Sequence, residues 1–369
     1  MAKAPIKFLN KDKSDFFPVL KKRVDLYFKE NSISKFGSQT MIYKSIIMLS
    51  LFLVPYLLIL SGSFPVWAMF LLAVFMGVGT AGVGMAVMHD ASHGSLSAVP
   101  QVNNLFSASL YLLGGNVYNW KIQHNTLHHT YTNIHEVDED VTGKFLLRFS
   151  YSDRLKGYHR FQHIYAFFLY GLMTLSFLGK DFRQVFRFRN HAVAKPFSTR
   201  EIVILLVTKA LYIVLICVLP LLLTNLTFGQ WLLGFLAMHF TSGIILSTVF
   251  QLAHIVEGVE HPAFDEQGNV ENAWAIHQLY ATANFNCNRM ISWFIGGLDF
   301  QIEHHLFPSI CHIHYRQLSK IVQATAEDFG IPYNNKASIA EALSSHIEAL
   351  RNLGHVEESR SALAYANHP

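Results

Sequence analysis

The chain has 369 residues, of which 51% are hydrophobic and 14% aromatic, while only 15% are charged; the formal net charge is +4. An average soluble domain carries about 25% charged residues. Composition therefore excludes an ordinary water-soluble globule and points to an all-α integral membrane protein.

The first 40 residues are polar and mixed, with no secretory signal pattern. Within them Phe16, Phe17, Leu20, Val24 and Tyr27 alternate with lysines, which predicts an amphipathic helix on the inner leaflet. Crossing a hydrocarbon core takes about 20 apolar residues. Four stretches reach that length, roughly 41–61, 66–88, 203–224 and 230–252. They pair into two hairpins closed by the uncharged turns Ser61 to Pro65 and Thr224 to Gly229. Two shorter runs, Leu105 to Gly115 and Ile164 to Leu178, read as interfacial or re-entrant helices.

Positive charge sets the orientation. Lys21, Lys22, Arg23, Lys29 and Lys35 precede the first span, and Lys180, Arg183, Arg187, Arg189 and Arg200 lie in the loop 89–200. Cytoplasmic loops keep such charge, so both termini and the long loop are expected in the cytoplasm. Basic, aromatic-interleaved stretches such as Arg183 to Arg189 suit anionic lipid headgroups better than nucleic acid. The organisation expected is a segment 1–40, a membrane domain 41–320 and a helical tail 321–369. Ser338 and Glu341 make a capping box for a helix in that tail.

Seven of the twenty histidines fall in three short segments: His89 and His93; His124, His128 and His129; His304 and His305. His254 joins them at the inner end of the fourth span. On the expected topology all eight lie at one membrane face. Residues four apart share a helix face, so His89 pairs with His93 and His124 with His128. His129 is turned by about 100°, so this helix could serve one ion or two, and the diverging neighbours His304 and His305 could be divided likewise. Eight nitrogen ligands are too many for one ion and suit two. Imidazole binds iron, zinc, copper and nickel alike, so spacing alone does not choose the metal, though a redox metal beside a membrane fits O2 chemistry on lipid.

Isolated histidines, among them His135, His159, His191, His261, His277, His312 and His314, are read as structural. His239, mid-span, is assigned a hydrogen bond within the bundle, and Lys209 is expected to snorkel to the inner face. Cys217, Cys287 and Cys311 match no zinc spacing.

The three histidine segments in order resemble the histidine boxes of the membrane fatty acid desaturases over residues 40–320. The third, Gln301-Ile302-Glu303-His304-His305, is similar to the front-end branch, which places a new double bond between an existing one and the carboxyl end. Delta-6 (linoleoyl-CoA) enzymes are the nearest type within it. The resemblance implies a centre of two non-haem iron ions held by His89, His93, His124, His128, His129, His254, His304 and His305. O2 is the implied co-substrate and a long-chain acyl-CoA or acyl-lipid the substrate. Gln301 is implied as a direct ligand, a water holder or a residue behind the ligands. Asp90, Asn125, Asp138, Asp140, Asp299 and Glu303 are candidates for orienting the imidazoles. Phe250 stands where the stearoyl branch has a water-holding asparagine. The haem-binding His-Pro-Gly-Gly motif of many front-end members is not in this sequence. The expected electron donor is therefore separate, a ferredoxin or cytochrome b5 with its reductase, and a bacterial inner membrane is favoured over the endoplasmic reticulum. A lipid hydroxylase or sphingolipid desaturase fits the same boxes. A metal transporter would need ionisable groups across the bilayer, where only His239 and Lys209 lie deep.

Overall fold

The computed structural model describes residues 6–11, 13–141, 145–189, 197–265 and 267–355; His191 and the end of the tail lie outside them. The fold is almost wholly helical. Four helices are long and apolar enough to cross a membrane: α2 (Gln39–Leu60), α3 (Val66–His93), α8 (Thr199–Leu223) and α9 (Phe228–His254). The apolar run of the second ends at residue 88, and the sequence places His89 and His93 on a continuation of the same helix. Here the helix continues unbroken through a π-helical turn, Gly84–Met88, and carries His89 and His93 on its last turn. Gly94, at φ 74°, then ends it, a backbone state that glycine adopts without strain.

Helices α2 and α9 pack on opposite sides of α3, and glycine makes both approaches possible. A Cβ on Gly79 would sit 2.5 Å from the Leu51 backbone, and one on Gly77 would sit 2.5 Å from the Met238 carbonyl. The outer ends of the four helices enclose an apolar cavity of about 480 Å³ lined by Trp67, Phe70, Trp231 and Phe235, among others, with no histidine in its wall.

Between α3 and α8 come α4 (Pro100–Ser107), α5 (Val117–Trp120, running on as a π-helix over Lys121–His128), α6 (Gln162–Gly171) and α7 (Met173–Phe188). The run expected as one interfacial element is a broken pair: the helical segments Gly157–Gly171 and Met173–Phe188 meet at 76°. After α9 follow α10 (Trp274–Ala281), α11 (Arg289–Phe294), α12 (Gln301–Leu306), α13 (Tyr315–Asp328) and α14 (Ile339–His355). Two parallel pairs of two-residue strands interrupt the all-helical pattern. β1 (Lys7–Phe8) pairs with β2 (Asn269–Val270), and β3 (Asn284–Phe285) with β4 (Asn335–Lys336).

Two expectations change, for α1 and for Lys209. The apolar stripe of α1 (Phe16–Glu30) faces protein rather than lipid: Phe16, Leu20 and Val24 are buried against Leu318, Val322 and Ala326 of α13. Both helices are amphipathic, and each covers the other's apolar face. The tail helix α14 is bolted to the interior. His346 bonds Tyr170 and the Ile255 carbonyl, and the buried Arg148 donates to the Leu353 carbonyl. Of the capping box, Ser338 accepts from the Glu341 amide, while the Glu341 carboxylate takes the Ala337 amide. Lys209 does not snorkel. It is buried, 2.6 Å from Asp181 and donating to the Gly114 and Phe177 carbonyls. His239 is bonded to Thr174 and Tyr212.

Removing one member of a buried ion pair leaves the other charge uncompensated, at a cost of about 3–5 kcal/mol. Lys209→Met is expected to lower thermal stability in detergent by an amount of that order. The Lys209→Met/Asp181→Asn pair should recover part of the loss; an additive loss would show that the two groups are not coupled.

Candidate metal centre

The C-terminal ends of α3 and α9, the π-helical turn of α5 and the short α12 meet beneath the four long helices. All eight histidines gather there. Two groups have ring nitrogens close enough to share an ion: His89, His93, His124 and His304 form one, and His128, His254 and His305 the other. The second and third boxes thus each send one imidazole to either group. His129 stands between them, its ring 4.5 Å from His304 and 4.4 Å from His305. Its Nε2 is 3.2 Å from His124 Nε2, which is itself 3.1 Å from His89 Nε2.

The winding of α5 makes this possible. In an α-helix His129 would turn well away from His124. Here the His129 amide bonds the carbonyl five residues back, that of His124. In i→i+5 winding, residues four and five along both return to the same side.

The imidazoles are oriented from behind. His128 Nδ1 donates to Asp138 Oδ2 at 2.9 Å, His305 Nδ1 to Gln278 Oε1 at 2.9 Å, and His304 Nδ1 lies 3.2 Å from the Tyr315 hydroxyl. In all three rings Nε2 is buried and finds no partner in the protein. His93 Nε2, His254 Nε2, His89 Nδ1 and His129 Nδ1 are equally unpartnered. A buried polar atom left unsatisfied costs about 1–3 kcal/mol. A metal ion offers these nitrogens what the protein withholds. Burial first, and then mutual repulsion, pushes the pKa of His124, His129, His304 and His305 well down. They are therefore neutral imidazoles, the form that ligates. Burial also opposes charge on His128, but the neighbouring Asp138 outweighs it and raises the pKa. The residues fit a pair of metal ions.

Among the candidate orienting residues, Asp138 touches a box imidazole closely, and Asp140 stands 3.7 Å from His128 Nδ1. The others do not. Asp90 binds His312 at 2.7 Å and the Cys311 thiol, with Lys44 on the far side of His312. Asn125 donates to the Ser92 carbonyl, and Asp299 takes Ser292 and Cys287. Glu303 takes Asn284 and Tyr333, and burial raises its pKa to about 7. Asp90 and Glu303 adjoin ligating positions in sequence, but neighbours on a helix diverge by about 100°. Gln301 is buried and lines a cavity together with His304. Phe250 lies against His128 and His254. Gln278 and Tyr315 carry no signal in the sequence, and His312 is read there as structural; they lie 27, 11 and 222 residues from the groups they hold, and no local pattern connects them.

The cavity, of about 400 Å³, begins at His89, His124 and His304 and runs between α3, α6, α7 and α9 along walls of Met85, Leu113, Phe177 and Leu246. It is of the size and polarity of a small-molecule site.

Four apolar helices long enough to cross a membrane, with metal-competent histidines clustered beside an apolar cavity, define a membrane-type metalloprotein with room for an apolar ligand. The comparisons make this specific. Residues 65–337 match the family described as fatty acid desaturase, and the chain belongs to it. It is 34% identical to the sn-1 linoleoyl-lipid 6-desaturase of Synechocystis sp. over 95% of this chain and 98% of that one. It is 34% identical to the acyl-lipid (8-3)-desaturase of Physcomitrium patens over 96% of this chain and 75% of the relative. A 30% match to the sn-1 linoleoyl-lipid 6-desaturase of Arthrospira platensis covers 93% of both.

Partners that orient a metal-bound histidine commonly contribute 10–100-fold in metal affinity. Asp138→Asn should weaken metal binding by that order, read by titration of the purified protein, whereas Asp299→Asn should leave it unchanged.

Proposed function

We propose that the chain is an O2-dependent di-iron front-end desaturase acting on long-chain acyl groups esterified to membrane lipids. Iron is held by His89, His93, His124 and His304 on one side and His128, His254 and His305 on the other, with His129 between them. The observation that carries this reading is the set of unpartnered ring nitrogens converging at one end of an apolar cavity. The acyl-lipid and delta-5 or delta-6 names of relatives that match along most of the chain support the substrate and the front-end class.

When bound, the iron pair supplies the oxidising power. O2, two electrons and two protons are consumed, two hydrogens leave adjacent methylenes as a double bond forms, and two waters result. Asp138, Gln278 and Tyr315 fix the imidazoles. Trp120 stacks on His124, with ring centroids 4.3 Å apart, and Phe250 covers His128 and His254, which keeps water from the reacting carbon. A saturated chain has no polar handle, so its position is set by the cavity walls and by whatever holds its head. Electrons come from a ferredoxin or from cytochrome b5 with its reductase. The spans form two hairpins, α2–α3 and α8–α9, with the basic segments, both termini and the metal centre on the cytoplasmic side of a bacterial inner membrane.

Expression in a host fed linoleic acid, followed by gas chromatography–mass spectrometry of lipids, tests this. The expected product is a new double bond on the carboxyl side of the existing one, absent with His128→Ala/His129→Ala. A hydroxylated product would move the reaction class, and protein without iron would sink the reading.

A further inference from the structure

The cavity is apolar along most of its wall but polar at one end, and that end adjoins the metal centre. Gln123 precedes His124 and lines the same cavity, with Lys180 of α7 and Asp140 beside it. Lys180 Nζ donates to Gln123 Oε1 at 2.8 Å, Gln184 Nε2 donates to the same oxygen at 2.7 Å, and Gln123 Nε2 donates to Asp140 Oδ1 at 2.8 Å. Asp140 in turn stands 3.7 Å from His128 Nδ1. An unbroken polar wall thus runs from the cavity end to the ligands.

Helix α7 is fixed in place. Its Asp181 holds Lys209 of α8 and accepts from Asn119 of α5. Its opposite face is exposed and carries Phe182, Arg183 and Phe186. Aromatic and cationic side chains together on one exposed face suit the headgroup layer of a membrane. One helix therefore presents a cation to the cavity and an amphipathic face to the lipid surface.

We infer that Lys180 and Gln123 form a headgroup subsite that takes the ester carbonyl and adjoining polar groups of a membrane acyl-lipid, and so set where the chain is desaturated. The inference rests on the front-end reading. An enzyme that counts from the carboxyl end needs a polar anchor a few bonds from its metal, and the remainder of the chain then extends along Met85, Leu113 and Leu246. Acyl-CoA offers a carbonyl and phosphates of similar chemistry. The membrane-facing side of α7 favours the lipid.

The test compares the wild-type chain with Lys180→Met and Lys180→Arg in cells given a short pulse of labelled linoleic acid. Double-bond position, conversion within each lipid class, and the iron content of the purified proteins are measured. Lys180→Met should keep its iron, lose conversion tenfold or more and scatter the new double bond over neighbouring positions. Lys180→Arg should restore position and most of the conversion. Unchanged conversion and position in Lys180→Met would overturn the subsite. So would loss of iron in that variant, since Lys180 would then be a structural prop. Label appearing in the product first as acyl-CoA would overturn the lipid assignment. A wild-type product lacking any carboxyl-side double bond would instead count against the front-end reading itself.

Discussion

A buried ring nitrogen without a hydrogen-bond partner costs about 1–3 kcal/mol, and seven of the eight clustered histidines each carry at least one. The rings relieve little of that cost among themselves: His124 Nε2 lies within hydrogen-bond distance of His89 Nε2 and His129 Nε2, at 3.1 and 3.2 Å, while Nε2 of His93, His128, His254, His304 and His305 has no partner. A cation shared among the rings would give those nitrogens a partner. Much of the surrounding fold reads as the scaffolding that keeps those nitrogens pointed inward. Asp138, Gln278 and Tyr315 each occupy Nδ1 and so commit Nε2 to the centre.

Helix geometry was adjusted to the same end. Three histidines in a run of six cannot all face one centre from an α-helix, and the π-helical winding of Lys121–His128 removes that conflict. The π-turn at Gly84–Met88 lies just before the first box. Below the first box, Asp90 reaches His312 and Cys311, which follow the third box, while Lys44 joins from α2. A buried chain of charge and hydrogen bonds thus ties three distant segments at the level of the first two ligands.

The cavity inherits its character from the elements that frame it. Leucine and methionine from the long helices wall one part, whereas the broken pair α6–α7 contributes Tyr170 and Lys180. The 76° bend lets α6 and α7 line the cavity from two directions. The cavity therefore offers two surfaces of opposite kind, apolar along most of its wall and polar at Lys180 and Gln123.

The sequence by itself determined the class of protein and its chemistry. Apolar runs long enough to span, a surplus of cations on alternate segments and three histidine boxes in order are local, periodic signals, and they survive folding because hydrophobic length and residue spacing are local properties. His239 found its bundle partners as expected, since a mid-span imidazole must be bonded. Tertiary structure decided what depends on distant neighbours. Asp90 and Glu303 turned away from the ligands beside them because helix neighbours diverge. Lys209 stayed inside because Asp181, 28 residues earlier, is buried with it. The stripe of α1 met α13 rather than lipid because a second amphipathic face, some 300 residues on, was free to cover it. Gln278 and Tyr315 came to hold the third box by chain reversal, and no spacing rule in the sequence encodes which way a chain will fold back.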